Sequence, residues 1–269
     1  MSTTTLAPRP AASPAARRLR SSEPIPTSRL IGVELQKMFD TRSGFWLLVG
    51  GALVSVVATL ITALAVKSPS YGDFAAAIGA PLSIVLPMTG ILAVTSEWSQ
   101  RTGLTTFTMV PHRSRVIAAK LAAIMIVGVT SIAIAFSVGA LGNLVDSALA
   151  GRHAAWDIGF VNALTIVVAD SLGMLMGFML GVLIRNSPGA IVAYFVYALV
   201  LPAAFGALAS VQAWFRHAQG WVDFHDSSTR LYDSGLTGTD WAHLGVSGLL
   251  WLLIPLAIGL RLVVRSEVK

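Results

Sequence analysis

The sequence has no cysteine and few charged residues, and both features limit the classes of protein to which it can belong. Without cysteine the chain has no disulfides, no thiolate metal ligands and no cysteine nucleophile. Charged residues make up 12% of the 269 residues, against about 25% in soluble domains, while hydrophobic residues make up 55%. Because so many apolar side chains do not fit one water-soluble core, the sequence predicts an all-α polytopic membrane protein.

Several motifs of enzyme chemistry are missing as well. No Gly-Lys pair occurs, so the chain has no Walker A loop to hold ATP phosphates, and the HExxH metalloprotease motif is absent. Residues 245–248 read Gly-Val-Ser-Gly and resemble the GxSG of rhomboid proteases. That family needs a histidine from a following helix, but Ser247 lies in the last apolar run. We therefore expect no enzymatic activity, no metal site and no cofactor bound by this chain.

Six apolar runs have the length that a bilayer requires, which is about 20 residues for a helix. They cover residues 44–66, 74–96, 116–142, 158–184, 189–211 and 242–264. We expect each run to form one transmembrane helix.

The distribution of positive charge predicts the orientation of these helices. Net charge is +6, but the cations flank apolar runs and are therefore typical of topology signals rather than of a nucleic-acid surface. Of the 19 Lys and Arg, all but four fall on one side of the predicted spans; the four are Lys67, Arg152, Arg216 and Arg230. We predict a multi-pass protein of the cell membrane with both termini cytosolic and no nucleic-acid partner.

The chain before the first span divides into two parts. Residues 1–27 are rich in Ala, Pro, Ser and Thr, which predicts a disordered cytosolic tail. The transmembrane domain, residues 28–269, then begins with an amphipathic stretch at 28–42. Its apolar side holds Leu30, Ile31, Leu35, Met38 and Phe39, whereas Glu34, Gln36, Lys37 and Asp40 lie elsewhere. This pattern predicts an interfacial helix on the inner leaflet, the alternative being a simple extension of the first span.

A basic segment separates the second and third runs and begins at Glu97. Its cations are Arg101, Arg113, Arg115 and Lys120. On the cytosolic side such a segment is a candidate docking surface for a soluble partner. The alternative is that these cations only set the orientation of the flanking spans.

The fourth run contains a stripe of small residues and one acid. Gly173, Gly177 and Gly181 recur at four-residue spacing, which lets another helix approach closely, either in the same subunit or in a second one. Asp170 precedes the stripe on the same side of the helix and is the only acidic residue within a span. We interpret it as a packing residue bonded to a hydroxyl, such as Ser171 or one on another helix; the alternative is a proton or ion site.

The longest external segment, residues 212–241, mixes aromatic and polar side chains. This composition is typical of short interfacial helices at the headgroup level. His217, Asp223, His225 and Asp226 could be interpreted as metal ligands, but their spacing matches no known zinc pattern.

The layout and local motifs together resemble the permease subunit of bacterial type-2 ABC transporters. Glu34, Leu35, Lys37 and Phe39 resemble the E-L-x-K-x-F of that family's interfacial helix. The segment 97–120 resembles its E-x-x-x-G-T … P-x-S-R-x-x-x-x-x-K pattern through Glu97, Arg101, Thr102, Gly103, Leu104, Thr105, Pro111, Ser114, Arg115 and Lys120. This sequence departs from the pattern at the Gly-Thr pair, which here is Thr102-Gly103 followed by leucine.

The resemblance implies a transport function. It implies that a separate ABC ATPase subunit, which binds ATP and Mg²⁺, docks on the coupling loop at 97–115. It also implies that two permease subunits pair around a path lined by the first, second and fifth spans. The expected substrate is a drug, antibiotic, peptide or lipid moved outward. The alternatives from other classes are a protease-like intramembrane enzyme and a membrane anchor for a sensor complex.

Overall fold

The computed structural model describes residues 25–40, 42–99 and 113–265, and these residues form helices and turns without a strand. Six helices are long and apolar enough to cross a membrane. They are Gly44–Ala65, Tyr71–Ser96, Arg115–Leu149, Phe160–Ile184, Ser187–Val211 and Gly238–Val263. The prediction of an all-α polytopic membrane protein with six spans is therefore confirmed.

Eleven α-helices lie within the described residues. In chain order they are α1 (Thr27–Asp40), α2 (Arg42–Ala65), α3 (Tyr71–Ser99), α4 (Arg113–Leu149), α5 (Phe160–Ile184), α6 (Ser187–Phe195), α7 (Leu201–Val211), α8 (Ala213–Val222), α9 (Phe224–Thr229), α10 (Gly238–Gly248) and α11 (Ile254–Arg265). A π turn at Val196–Val200 joins α6 to α7 in the fifth span, and a second at Leu249–Leu253 joins α10 to α11 in the sixth.

The connection between the fourth and fifth spans illustrates how the sequence sets a boundary. Arg185 ends α5 in the left-handed conformation, at φ 57°. Asn186 then caps α6, its side chain accepting a hydrogen bond from the Gly189 backbone N–H, and Pro188 occupies the first turn, where its missing N–H is not needed. The chain thus reverses within a few residues.

The bundle has two ends, which we name by their contents. The α1 end holds α1 together with the start of α4, and by our prediction it faces the cytosol. The far end holds the segment 212–237, with α8, α9 and a 3-10 turn at Arg230–Tyr232. This segment contains short helices, as its composition indicates.

The second and fourth spans form the centre of the bundle. Helix α3 packs against α2, α4 and α5, and the core side chains include Ile78, Leu86, Ile124 and Phe178. In the second and fourth spans, 50% of the most apolar 18-residue stretch is buried inside the protein. The corresponding fraction is 17% in the first span and 6% in the fifth. The first and fifth spans therefore lie at the periphery of this chain.

The glycine stripe allows the two central helices to approach at backbone distance. A Cβ built on Gly177 would lie 2.2 Å from the Pro87 carbonyl oxygen, and one on Gly181 would lie 3.2 Å from that of Ile91. A Cβ on Gly173 would make ordinary contact with Pro87 Cγ at 3.6 Å. The stripe in α5 therefore packs on α3 of the same chain.

Pro87 also leaves a carbonyl in α3 without its helical donor. A proline has no N–H, so the oxygen four residues earlier, that of Ser83, loses its partner. The hydroxyl of Tyr194 in the fifth span donates to this oxygen at 3.1 Å. A neighbouring helix thus supplies the missing donor, as expected for a proline inside a membrane.

Candidate functional site

A buried ion pair joins α1 to the third span at the α1 end. Lys120 Nζ donates to Glu34 Oε2 at 2.5 Å, and both residues are nearly inaccessible, at 6% and 5% exposed. Lys37 Nζ donates to the other carboxylate oxygen at 2.7 Å. Both oxygens of Glu34 are therefore bound by ammonium groups.

This burial corrects the assignment of Glu34 to the polar side of the interfacial helix. Glu34 follows Leu30 by four residues and precedes Met38 by four, so it lies on the same stripe as those apolar residues. A carboxylate is stable there because Lys120 meets it with an opposite charge from α4.

The ammonium groups decide the charge state of Glu34. Burial alone would raise the pKa of its carboxyl, but the neighbouring Lys120, with Lys37 assisting, outweighs burial and lowers that pKa. The carboxylate is therefore ionised at neutral pH.

A second contact holds the N-terminal end of α1. The Arg115 guanidinium donates from Nη2 to the Ile25 carbonyl oxygen at 2.7 Å and to Thr27 Oγ1 at 3.4 Å. The first turns of α4 thus bind α1 at its start through Arg115 and at its middle through Lys120. We call this set, Glu34, Lys37, Arg115 and Lys120, the α1 clasp.

The predicted docking loop lies next to the α1 clasp in the chain. Glu97 belongs to the last turns of α3 and Arg113 begins α4. Arg101, Thr102, Gly103 and Pro111 lie outside the described residues, so docking at 97–115 stays a prediction. Arg115 contacts the start of α1, and its part in docking also stays a prediction.

Asp170 is buried in the fourth span and has a hydroxyl partner. Its Oδ1 accepts from the Tyr232 hydroxyl at 2.7 Å, and the residue is 6% exposed. Tyr232 belongs to the 3-10 turn of the far-end segment, so the partner is neither Ser171 nor a residue of another spanning helix. One hydrogen bond thus ties the segment 212–237 to the centre of the bundle.

The far-end segment is further held by aromatic contacts. The ring of Tyr197 lies 6.5 Å from that of Phe224, 5.8 Å from that of His225 and 6.4 Å from that of Trp251. The Trp251 indole donates to the Val222 carbonyl oxygen at 2.7 Å. The segment therefore folds onto the bundle rather than resting only at its surface.

The polar residues of this segment serve its local structure. Asp223 caps α9 by accepting from the Asp226 N–H at 3.1 Å. Burial lowers the pKa of His225, so its imidazole is neutral at pH 7. Within the described ranges, no three His, Cys, Asp or Glu side chains are grouped so that they could hold a metal ion.

The serine of the rhomboid-like motif is engaged within its own helix. The Ser247 hydroxyl donates to the His243 carbonyl oxygen at 2.7 Å, and the residue is fully buried. It is thus bonded to backbone, whereas a nucleophilic serine needs a neighbouring base within hydrogen-bond reach.

No protein-family model matches this sequence, and no curated protein matches it either.

The pairing of Glu34 with Lys120 is the feature that sequence reasoning missed. Both residues stand in the motifs quoted above, but in separate ones. The signal was available in each helix: a glutamate on the apolar stripe of α1, and a lysine inside the apolar start of the third span. Two opposite charges on apolar faces near one membrane surface are candidates for a pair.

Proposed function

We propose that this chain is the membrane-spanning permease subunit of an ATP-driven exporter, energised by a separate ATPase subunit that docks on residues 97–115. The proposal follows from the family resemblance, and the observation that supports it most is the α1 clasp. Lys120 lies five residues beyond the loop, so a partner that displaces the loop would act on the start of α4. The ion pair would then transmit that displacement to α1.

The proposal includes a second permease subunit, and the peripheral first and fifth spans leave apolar surface available both to it and to lipid. The first and fifth spans carry large apolar side chains that this chain leaves uncovered, such as Leu64 at 88% and Val211 at 73% exposed. A second copy, or a related chain, would cover part of this surface. The resemblance places a substrate path between such paired subunits.

The absence of cysteine makes the orientation directly testable, since each introduced thiol is unique. Ser28 at the α1 end and Ser234 at the far end are both exposed, whereas Ser227 is buried and would be a poor reporter. With a membrane-impermeant maleimide, Ser234→Cys should react in intact cells and Ser28→Cys only after the cells are opened. The reverse pattern would place the loop outside and remove the docking proposal.

The ATPase partner is tested by photo-crosslinking from the loop. A benzophenone amino acid at Thr106 should capture a soluble protein that carries a Walker A motif. Arg101→Glu with Arg113→Glu should weaken this capture, because like charges at an interface oppose association. Arg29→Glu with Arg261→Glu is the matched control, with the same change of charge outside the loop. The proposal would be contradicted if the loop variant captured as much partner as the wild type. It would also be contradicted if the captured protein had no Walker A motif.

A further inference from the structure

An elongated cavity of about 490 Å³ lies between α1 and the first three spans. Its volume falls within the range of roughly 300 to 1,000 Å³ that is typical of small-molecule sites. Along α4 its wall runs from Ile126 to Val138, a length of about 18 Å at the rise of a helix. Leu35 and Phe39 of α1 also line it.

The walls of this cavity are almost entirely apolar. Among the residues that the structure describes, the only polar side chains in its lining are those of Ser55, Thr130 and Ser131, all hydroxyls. The Ser55 hydroxyl already donates to the Gly51 carbonyl oxygen of its own helix at 2.8 Å. Within the described part of the chain no charged side chain lines the cavity, so an occupant must be apolar along its length.

The cavity opens toward the side of the bundle that would face lipid. Several of its lining residues are about half exposed, among them Val56 at 50%, Ile126 at 47% and Ile134 at 58%. In a chain that spans a membrane, such side chains contact the bilayer when no other protein covers them. An occupant can therefore enter sideways from the bilayer.

A cation stands at the α1 end of the same region. Arg42 follows Phe39 by three residues and precedes the first span by two, which places it at the headgroup level. It is exposed, and in the described part of the chain it takes part in no ion pair. A guanidinium binds phosphate oxygens in a two-pronged geometry.

We propose that this cavity binds one acyl chain of an anionic phospholipid, and that Arg42 favours this lipid because its headgroup, unlike that of phosphatidylcholine, has a net negative charge. The elongated apolar wall fits a single alkyl chain. The exposed Arg42, three residues after the lining residue Phe39 and six before the lining residue Leu48, has the charge that complements the headgroup. Because Leu35 and Phe39 form part of the wall, the bound lipid also stabilises the position of α1. The site is formed by α1 and the first three spans of one chain, and the proposal does not depend on a transport function.

The test is native mass spectrometry of the full chain released from vesicles of equal phosphatidylcholine and phosphatidylglycerol. The wild-type chain should retain phosphatidylglycerol. Val56→Trp should lose it because the indole fills the cavity. Val57→Trp is the matched control: Val57 is 51% exposed, adjacent in sequence and not part of the cavity lining, so this variant should retain the lipid.

A second pair protects the test against misfolding of one variant. Ile126 lines the cavity, whereas Val129, on the same helix and 43% exposed, does not. Ile126→Trp should lose the lipid and Val129→Trp should keep it.

Arg42→Gln should keep a lipid but lower the preference for phosphatidylglycerol roughly fivefold, the effect of about 1 kcal/mol per surface cation.

Two outcomes would overturn the site. Equal lipid retention in both members of each tryptophan pair would mean that the cavity holds no acyl chain. The second outcome is that the wild-type chain retains no lipid and forms a dimer that Val56→Trp abolishes and Val57→Trp preserves. The cavity would then be a contact surface for a second copy of the chain. Equal retention of the two headgroups by the wild-type chain would overturn the role of Arg42 and the anionic specificity.

Discussion

At the α1 end, a helix outside the spans is held by ammonium and guanidinium groups, whereas at the far end a segment outside the spans is held by aromatic rings and one buried acid. The α1 clasp concentrates its contacts on Glu34, Lys120 and Arg115. The far-end segment distributes its contacts over Tyr197, Trp251 and their neighbours. A single charge change should therefore release α1, while no single ring should release the far-end segment.

This difference fits a division of roles under the proposed function. Breaking a buried ion pair is strongly destabilising, because one charge remains without its partner. Losing one ring from a cluster removes only that ring's share of the packing. Under the proposed function, a docking partner can act on the α1 end through one ion pair. The far end stays rigid because many contacts hold its segment.

The largest expected effect is that of Lys120→Met. The substitution leaves the Glu34 carboxylate buried beside only Lys37, and the loss of one member of a buried pair typically costs about 3 to 5 kcal/mol. We expect a clear fall in the free energy of unfolding in detergent. Glu34→Leu combined with Lys120→Met should recover most of that loss, because no charge stays buried. Similar instability of the single and double variants would contradict the pairing.

Acid should weaken the same end of the bundle. Because the folded-state pKa of Glu34 is lowered from its ordinary value of 4.5, its ionised form stabilises the fold above that pH. This contribution is lost as pH falls below 4.5 through the folded-state pKa. Hydrogen exchange should show that α1 becomes unprotected in this window before α9 does. In Glu34→Leu/Lys120→Met this acid step in α1 should be absent.

Gly177→Ala should be the next most damaging change. The added Cβ would lie 2.2 Å from the Pro87 carbonyl oxygen, so α3 and α5 must separate, and overpacking of this kind costs about 1 to 3 kcal/mol. Gly206→Ala is the control, since a Cβ there meets no atom within 4 Å. Thermal unfolding in detergent should separate the two variants. Equal stability would mean that the central helices are not in backbone contact.

Tyr194→Phe tests the hydrogen bond that compensates for Pro87. The substitution leaves the Ser83 carbonyl oxygen without a donor, and hydrogen bonds between membrane helices are worth at most about 1.7 kcal/mol. In a Pro87→Ala background the helix supplies its own N–H, so the same change should have little effect. The loss in stability should therefore depend on Pro87. An identical loss in both backgrounds would contradict this explanation.

The sequence was sufficient for the spans because their apolar runs carry a strong signal in length and composition. Boundaries were less certain: the third span continues to Leu149 rather than 142, and the sixth begins at Gly238 rather than 242. The glycine stripe in the sequence indicated close packing with another helix, but only the structure shows that the stripe packs on Pro87. The Glu34–Lys120 and Asp170–Tyr232 contacts join residues 86 and 62 positions apart, and no local pattern encodes such a distance.

The smallest expected effect concerns the Asp170–Tyr232 hydrogen bond at the far end. Hydrogen bonds within membranes contribute about 0.6 kcal/mol on average, and here the aromatic cluster holds the same segment independently. Tyr232→Phe and Asp170→Leu should therefore each lower the thermal stability slightly, and the double variant should be no worse than Asp170→Leu because both remove one bond. Asp170→Asn keeps an oxygen that accepts from Tyr232 and should retain the wild-type stability and, if the chain is a permease, its transport. If a folded Asp170→Asn protein that still binds its ATPase loses transport, Asp170 belongs to a proton or ion site. The far end would then take part in transport and not only in the stability of the fold.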